Sequence, residues 1–188
     1  FSMERDTSLE GMEAFGKEVI DGTIAWCPVY KPNFAFFERY GSKGYILLEK
    51  LVDHINGRAI VIADAKRGDI NNTSRQYAKS ILDNMGCDAV TISPYMGRDA
   101  IEPFLENAEK GVFILSVTSN LSACEIQGND DDPNPLYQKV IKIAVELNQA
   151  DNVGIIVGAT RVNTMKNIRI NSRGIPWLIP GVGFQGGD

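Results

Sequence analysis

Short apolar runs alternate along this chain with segments in which apolar residues recur every three or four positions. The segment from Ser8 to Ile20 has the helical spacing, because its apolar residues fall on one face: Leu9, Met12, Phe15, Val19 and Ile20. The run "AIVIADAK" (59–66) is instead almost continuously apolar, as in a buried strand. The alternation predicts a chain built from repeated strand and helix units.

Six runs have strand character, and each is preceded or followed by a helical segment. The predicted strands span residues 23–31, 59–66, 87–95, 111–119, 153–160 and 176–183. The predicted helices span residues 8–20, 45–57, 73–86, 103–108, 135–150 and 161–169. Asn134 and Pro135 are residue types favoured at the N-cap and first position of a helix, so we expect the fifth helix to begin there.

The strand-like runs favour a parallel sheet, because continuous apolar runs are typical of strands buried on both faces. Repeated strand–helix units leave two main architectures, a doubly wound sheet and a (β/α)₈ barrel. No Gly-x-Gly-x-x-Gly motif follows an early strand, which disfavours a dinucleotide-binding sheet. Polar residues recur instead at the carboxyl ends of the strands, where barrels carry their active sites. We therefore predict an α/β protein with the (β/α)₈ (TIM) barrel fold.

The predicted barrel is a single domain over residues 1–188, and it is incomplete at both ends. A complete barrel has about 200 residues or more. The pattern here opens on a helix and stops just after a strand. We therefore expect the first and last strands of the barrel to be absent from this stretch of sequence.

Composition and charge narrow the classes of function. A net charge of −5 argues against a general nucleic-acid-binding protein but allows a small anionic ligand. No apolar run reaches the roughly 20 residues of a membrane-spanning helix, so no membrane partner is expected. Cys27, Cys87 and Cys124 are widely spaced without a C-x-x-C motif, which favours a reduced, cytoplasmic setting. The sequence shows no His/Cys cluster that would hold a metal.

Two residues, His54 and Cys27, are assigned structural roles. The single histidine, His54, falls in the last turn of a predicted helix, where a cation complements the helix dipole. Cys27 falls in a predicted buried strand and is interpreted as an inert core residue.

The segment "VIADAKRGDI" (61–70) places four charges within six positions at the end of an apolar strand. Asp64 and Lys66 lie two residues apart, so they are predicted to share a strand face, and Asp69 follows in the loop. Lys31 ends the preceding strand at the same height. The two lysines and two aspartates are therefore predicted to meet in one partly dry site, where their charges balance. The carboxylates keep the lysines protonated, and a protonated lysine in such a site acts as a general acid. Taken alone, the D-x-K-x-x-D pattern also fits an ordinary salt-bridged loop. Arg67 is interpreted as a solvated or scaffold charge.

The segment "PGVGFQGGD" (180–188) is the second candidate site. Its glycines allow backbone N–H groups to turn inward around an anion, and the side-chain amide of Gln185 is a further donor. Barrels often bind phosphate in the loops after strands 7 and 8. The alternative is a plain glycine-rich turn. The segment "VTSN" (117–120) offers hydroxyl and amide groups suited to a heterocycle, although these are also common loop residues.

Several segments together resemble the orotidine 5′-phosphate decarboxylase family, in order along nearly the whole chain. They are "VYKPNFAFFE" (29–38), "IADAKRGDI" (62–70), "TISPYMGRDAIEPFLE" (91–106), "VTSN" (117–120), "VGAT" (157–160) and "PGVGFQGGD" (180–188). The resemblance implies a barrel that forms a homodimer and decarboxylates orotidylate to uridylate without a metal or an organic cofactor. "YKPNFAFFE" together with "ADAKRGDI" is the most specific part of the match.

The resemblance also implies roles for single residues. The charged tetrad of the family matches four positions: Lys31, Asp64, Lys66 and Asp69. Lys66 is implied to donate a proton to C6 of the pyrimidine, Asp64 to lie beside the substrate carboxylate, and Asp69 to reach the partner subunit's site. The implied substrate-binding residues are Asn33, Thr73 at the ribose, Ser119 and Pro180 at the pyrimidine, and Gly183, Gln185 and Gly186 at the phosphate.

Two departures and two alternatives stay open at this point. The family's first strand supplies an aspartate and its last strand a phosphate-binding arginine, and neither strand is found here. One alternative is a sister barrel decarboxylase that acts on a sugar phosphate such as 3-keto-gulonate 6-phosphate and uses magnesium. The other is a non-catalytic, nucleotide-binding barrel.

Overall fold

The computed structural model describes residues 8–129, 131–183 and 186–187. The helices are α1 (Leu9–Thr23), α2 (Ala35–Glu38), α3 (Ser42–Ile55), α4 (Asn71–Ala78), α5 (Arg98–Ile101), α6 (Ala123–Gln127), α7 (Leu136–Leu147) and α8 (Val162–Asn171). The strands are β1 (Val29–Tyr30), β2 (Ile60–Arg67), β3 (Ala89–Ile92), β4 (Gly111–Val117), β5 (Val153–Val157) and β6 (Trp177–Leu178). A π-helical segment (Lys79–Asn84) continues α4, and a 3₁₀ segment (Glu102–Leu105) continues α5.

The described residues divide into two compact units. The first comprises residues 8–65 and 79–90. Here β1 pairs in parallel with β2, with Val29 opposite Ile60 and Tyr30 opposite Val61. Helix α1 begins after Ser8, whose Oγ accepts the Gly11 N–H (3.0 Å) and so caps the first turn. Helix α1 packs against α3, and the apolar face of α3 is buried.

The second unit comprises residues 66–78, 91–129, 131–183 and 186–187. Its strands β4, β5 and β6 are all parallel, and the register sets Ile155 opposite Trp177 and Val112 opposite Val153. The register shifts between Leu115 and Val117, which leaves Ser116 as a bulge in β4. Helix α7 covers β4 and β5 with the buried side chains of Tyr137, Val140, Ile141 and Ala144.

Burial along the strands confirms the predicted α/β class with parallel strands. All residues of β3 and β5 are buried, as are the five residues from Val61 to Ala65 in β2. These are the continuous apolar runs of the sequence, and burial on both faces explains why they do not alternate. Strand β4 differs, because buried and half-buried positions alternate along its first six residues.

The predicted strand at 23–31 is wrong over most of its length. Helix α1 continues to Thr23, and a turn follows in which the Trp26 and Cys27 N–H groups donate to the Thr23 carbonyl (both 2.9 Å). The strand is only Val29–Tyr30. Cys27 therefore lies in this turn rather than in a strand, and it is only half-buried. Apolar content alone does not separate a turn after a helix from the start of a strand.

Smaller corrections concern helix boundaries. The N-cap of α7 is Pro135 rather than Asn134, and α7 begins at Leu136. The helical residues expected from 103 to 108 lie earlier, in α5 and the following 3₁₀ turn. His54 does lie in the last turn of α3, as predicted. Its Nε2 also lies 2.8 Å from Asp21 Oδ1 of α1, a contact that the sequence pattern does not indicate.

Two features are absent from the described residues. None of the helices there has the length and apolar character needed to cross a membrane. The same residues contain no group of three or more His, Cys, Asp or Glu side chains placed to hold a metal ion.

A pH dependence follows from the contact between α1 and α3. Glu13 accepts hydrogen bonds from Lys17 (2.7 Å) and from Lys50 of α3 (2.6 Å), and these bonds lower its pKa from 4.5 to about 2. Because the pKa is lower in the folded state, the ion pairs stabilise the fold above pH 4.5. Their contribution is lost as the pH falls toward 2.

We expect Glu13→Gln to flatten the fall in stability between pH 4.5 and 2, measured as the thermal midpoint against pH. Glu18→Gln, an exposed acid on the same helix, serves as the control and should leave the profile unchanged. Parallel profiles for wild type and Glu13→Gln would contradict this account.

Candidate active site

The candidate active site in the first unit is built around an ion pair between Lys31 and Asp64. The Lys31 Nζ lies 2.6 Å from Asp64 Oδ2. The Asp64 side chain is only 10% exposed, and that of Lys31 is 32% exposed. A carboxylate this far from water needs a charged partner, because an unpaired buried charge is strongly unfavourable. The predicted meeting of Lys31 and Asp64 is thus seen in the structure.

The backbone after β1 holds this pair in place. The Asp64 N–H donates to the Pro32 carbonyl (3.0 Å), and the Phe34 N–H donates to the Asp64 carbonyl (3.2 Å). Asn33 forms a parallel bridge with Asp64, and its Oδ1 accepts the Ala35 N–H (3.1 Å) at the start of α2. Phe34 is buried and anchors the segment. The predicted substrate-binding residue Asn33 therefore lies directly beside Asp64.

Lys66 follows Asp64 by two residues on β2 and has an unusual backbone. Its φ is +48°, in the left-handed region that residues other than glycine rarely adopt. Its N–H donates to Oγ1 of the buried Thr91 (2.9 Å), which holds this conformation. The simple alternation used to predict that Asp64 and Lys66 share a face is interrupted here. Strained backbone of this kind clusters at functional sites.

Arg67 and Asp69 are held by other contacts of the second unit. The Arg67 guanidinium lies over the Tyr77 ring (5.4 Å to its centroid), a contact that the sequence pattern does not indicate. Asp69 is fixed by the buried Ser74, whose Oγ accepts the Asp69 N–H (3.2 Å) and donates to its carbonyl (2.7 Å). Asp69 Oδ1 accepts the Ile70 N–H (2.7 Å). This loop leads into α4, whose third residue is the half-buried Thr73.

Ser119 lies just beyond β4, where the chain passes close to the end of β5. Its carbonyl accepts a hydrogen bond from Thr160 Oγ1 (3.3 Å). A Cβ on Gly158 would lie 2.7 Å from the Ser119 nitrogen and 2.9 Å from its Cα. Only glycine allows this approach, so Gly158 sets the position of the Ser119 backbone. Sequence reasoning missed this role, although a glycine at a strand end is a signal for it.

In the glycine-rich segment, Val182 forms a parallel bridge with Gly187, which marks a turn of the chain. The Ala159 N–H donates to the Pro180 carbonyl (2.8 Å), which joins this turn to the end of β5. The Gly183 N–H donates to Gly187 (2.9 Å), and the Gly186 N–H donates to Gly183 (2.8 Å). These N–H groups are therefore engaged within the turn. Gln185 lies outside the described residues.

Comparisons with known proteins place the chain in a family. The model of the orotidine 5′-phosphate decarboxylase / HUMPS family matches residues 17–188, so the chain belongs to this family. A curated orotidine 5′-phosphate decarboxylase of Dehalococcoides mccartyi (strain CBDB1) is 44% identical over 184 residues. The alignment covers 95% of this chain and 68% of that protein. The name of this relative supports the predicted activity rather than that of the sister decarboxylase.

Solved structures show the same fold. The UMP synthase of Leishmania donovani superposes with a TM-score of 0.92 at 35% identity, covering 98% of this chain and 42% of that one. The OMP decarboxylase of Leishmania donovani gives a TM-score of 0.89 at 34% identity, covering 95% of this chain and 72% of that one. The chain thus spans less than half of the UMP synthase and about two thirds of the decarboxylases.

We expect Lys31→Met to destabilise the fold by about 1–3 kcal/mol, because the buried Asp64 carboxylate loses its cation. The midpoint of denaturant unfolding measures this. Lys43→Met, at an exposed lysine of α3, is the matched control and should stay near wild type. The double variant Lys31→Met/Asp64→Leu should regain part of the loss. Equal midpoints for Lys31→Met and Lys43→Met would show that the ion pair is not a structural requirement.

We expect Gly158→Ala to cost about 1–3 kcal/mol, because the new Cβ overpacks the backbone at Ser119. Gly22→Ala provides the contrast, since nothing lies within 4 Å of a Cβ at this exposed position in α1. There, alanine should be neutral or stabilise by about 0.5–1 kcal/mol through helix propensity. Thermal unfolding of both variants decides, and a neutral Gly158→Ala would contradict the close approach.

Proposed function

We propose that the protein containing this chain decarboxylates orotidine 5′-phosphate to uridine 5′-phosphate and CO₂, without a metal or an organic cofactor. The observation that carries the proposal is the ion pair between Lys31, just after β1, and the buried Asp64 of β2, which Lys66 with its left-handed backbone follows two residues later. Membership of the decarboxylase family and the decarboxylases among its relatives support it.

Lys66 is the proposed proton donor. Loss of CO₂ leaves the electron pair of the broken C–C bond on C6 of the pyrimidine. An adjacent ammonium stabilises this charge as it develops and then transfers its proton to C6. Because this stabilisation is greatest in the transition state, it raises the rate rather than only the affinity.

Asp64 is the proposed neighbour of the substrate carboxylate. Its buried position and its ion pair to Lys31 keep the side chain fixed. Placing it near a second carboxylate favours the step that expels CO₂, because that step removes the like-charge repulsion. Lys31 thus acts on the substrate through the orientation of Asp64.

Nucleotide contacts are assigned to the remaining candidate residues. Ser119 and Pro180 are proposed to bind the pyrimidine, and Asn33 lies beside Asp64 as a further substrate contact. The turn carrying Gly183 and Gly186, together with the side chain of Gln185, is proposed to bind the phosphate. Phosphate binding through the two glycine N–H groups requires their hydrogen bonds within the turn to be exchanged. Binding energy from the phosphate contributes to catalysis at the distant pyrimidine.

The assembly is also a proposal. We infer a single, complete (β/α)₈ barrel domain, to which this chain contributes six parallel strands. We further infer a cytoplasmic homodimer in which Asp69 and Thr73 complete the partner subunit's site around the ribose. The firm anchoring of the Asp69 backbone by Ser74 supports a loop that reaches outward with a defined shape.

The proposed activity is tested by incubating the purified full-length protein with orotidylate and following the ultraviolet absorbance as uridylate forms. We expect turnover that is unchanged by a metal chelator, because none of the proposed steps uses a metal. Magnesium-dependent turnover of 3-keto-gulonate 6-phosphate that the chelator abolishes, with orotidylate untouched, would establish the sister activity instead. Binding of uridylate without any turnover would establish a non-catalytic barrel.

A further inference from the structure

Gln127 holds the residue that precedes Ser119. It is the last residue of α6, and its side-chain amide contacts Thr118 twice. The Gln127 Oε1 accepts the Thr118 N–H (2.9 Å), and its Nε2 donates to Thr118 Oγ1 (2.7 Å). Two bonds from one planar amide fix both the backbone and the side chain of Thr118.

The same hydrogen bonds continue past Ser119. The Thr118 hydroxyl accepts from Gln127 and uses its single proton to bond Asn120 Oδ1 (2.6 Å). Gln127 is therefore linked to both sequence neighbours of Ser119. Glutamine suits this place because its amide both donates and accepts, which a carboxylate does not do.

The end of β5 holds Ser119 from another direction. Thr160 Oγ1 donates to the Ser119 carbonyl, and Gly158 approaches the Ser119 nitrogen. Hydrogen bonds from α6 and close packing from β5 together leave the Ser119 backbone little freedom. A hydroxyl on such a backbone is preorganised for a ligand.

We propose that Gln127 is a positioning residue that sets Ser119 for the pyrimidine ring through Thr118. This rests on the role proposed above for Ser119. Gln127 acts on the substrate only through Thr118 and Ser119. Its removal therefore matters for substrate only while Ser119 keeps its hydroxyl.

The test is a double-mutant cycle in the full-length protein with Gln127→Ala, Ser119→Ala and the combination. We expect Gln127→Ala to lower kcat/KM for orotidylate about tenfold, the size of effect typical for losing such hydrogen bonds. In the Ser119→Ala background the same change should have almost no effect. A purely structural role for Gln127 predicts an equal loss in both backgrounds, and that result would overturn the proposal.

A control variant and a substitute variant complete the test. Glu125→Ala, at an exposed position in the same helix, should match wild type. If Gln127→Ala does not fold, Gln127→Glu replaces it, since it keeps the acceptor for the Thr118 N–H but not the donor. The expected dependence on Ser119 is the same, and a loss that is independent of Ser119 again overturns the proposal.

Uridylate binding by calorimetry separates this proposal from the proposed activity. A wild-type protein that binds uridylate without consuming orotidylate contradicts the decarboxylase function. The double-mutant cycle is then measured with the dissociation constant for uridylate, and the effects of the Gln127 and Ser119 substitutions on it should still be coupled. A wild-type protein that neither binds nor turns over nucleotide overturns both proposals.

Discussion

The charge of Asp64 is the constraint on which the candidate site depends. A carboxylate within the buried stretch Val61–Ala65 of β2 is stable only with a cation beside it, and Lys31 provides that cation at 2.6 Å. For Lys31 to reach this position, the chain after β1 must run along β2, which the backbone bonds of Pro32 and Phe34 to Asp64 ensure. A chemical requirement at one side chain thereby sets the course of the neighbouring segment.

In the second unit, close packing rather than an ion pair sets the course of the neighbouring segments. The backbone after β4 lies against Gly158, and the turn at Pro180 is bonded to Ala159, so β5 positions both segments. Side-chain hydrogen bonds then set the finer details at Asp69, through Ser74, and at Ser119, through Thr118. The proposed binding residues Asn33, Ser119 and Pro180 lie outside the helices and strands, but each is held next to a strand or the residues that follow it. This matches how enzymes combine variable loops with a stable scaffold.

The sequence predicted the features that depend on local pattern. Continuous apolar runs identified β2, β3 and β5. Charged residues near the carboxyl ends of two neighbouring strands predicted that Lys31 and Asp64 meet. The pattern failed at residues 23–28. Helix α1 ends only at Thr23, and the turn that follows it contains apolar residues and therefore resembles a strand. The left-handed backbone of Lys66 was beyond prediction, because it depends on the Thr91 hydroxyl of another strand rather than on lysine itself. The link from Gln127 to Thr118 spans a loop whose shape no periodicity encodes.

The most direct test of the account is the turnover of orotidylate by Lys66→Ala, with uridylate binding measured on the same preparation and Lys43→Ala as the control. If Lys66 stabilises the developing charge and supplies the proton, the variant loses nearly all turnover while uridylate binding stays detectable, and Lys43→Ala keeps both. Turnover at the wild-type rate in Lys66→Ala would contradict the central claim.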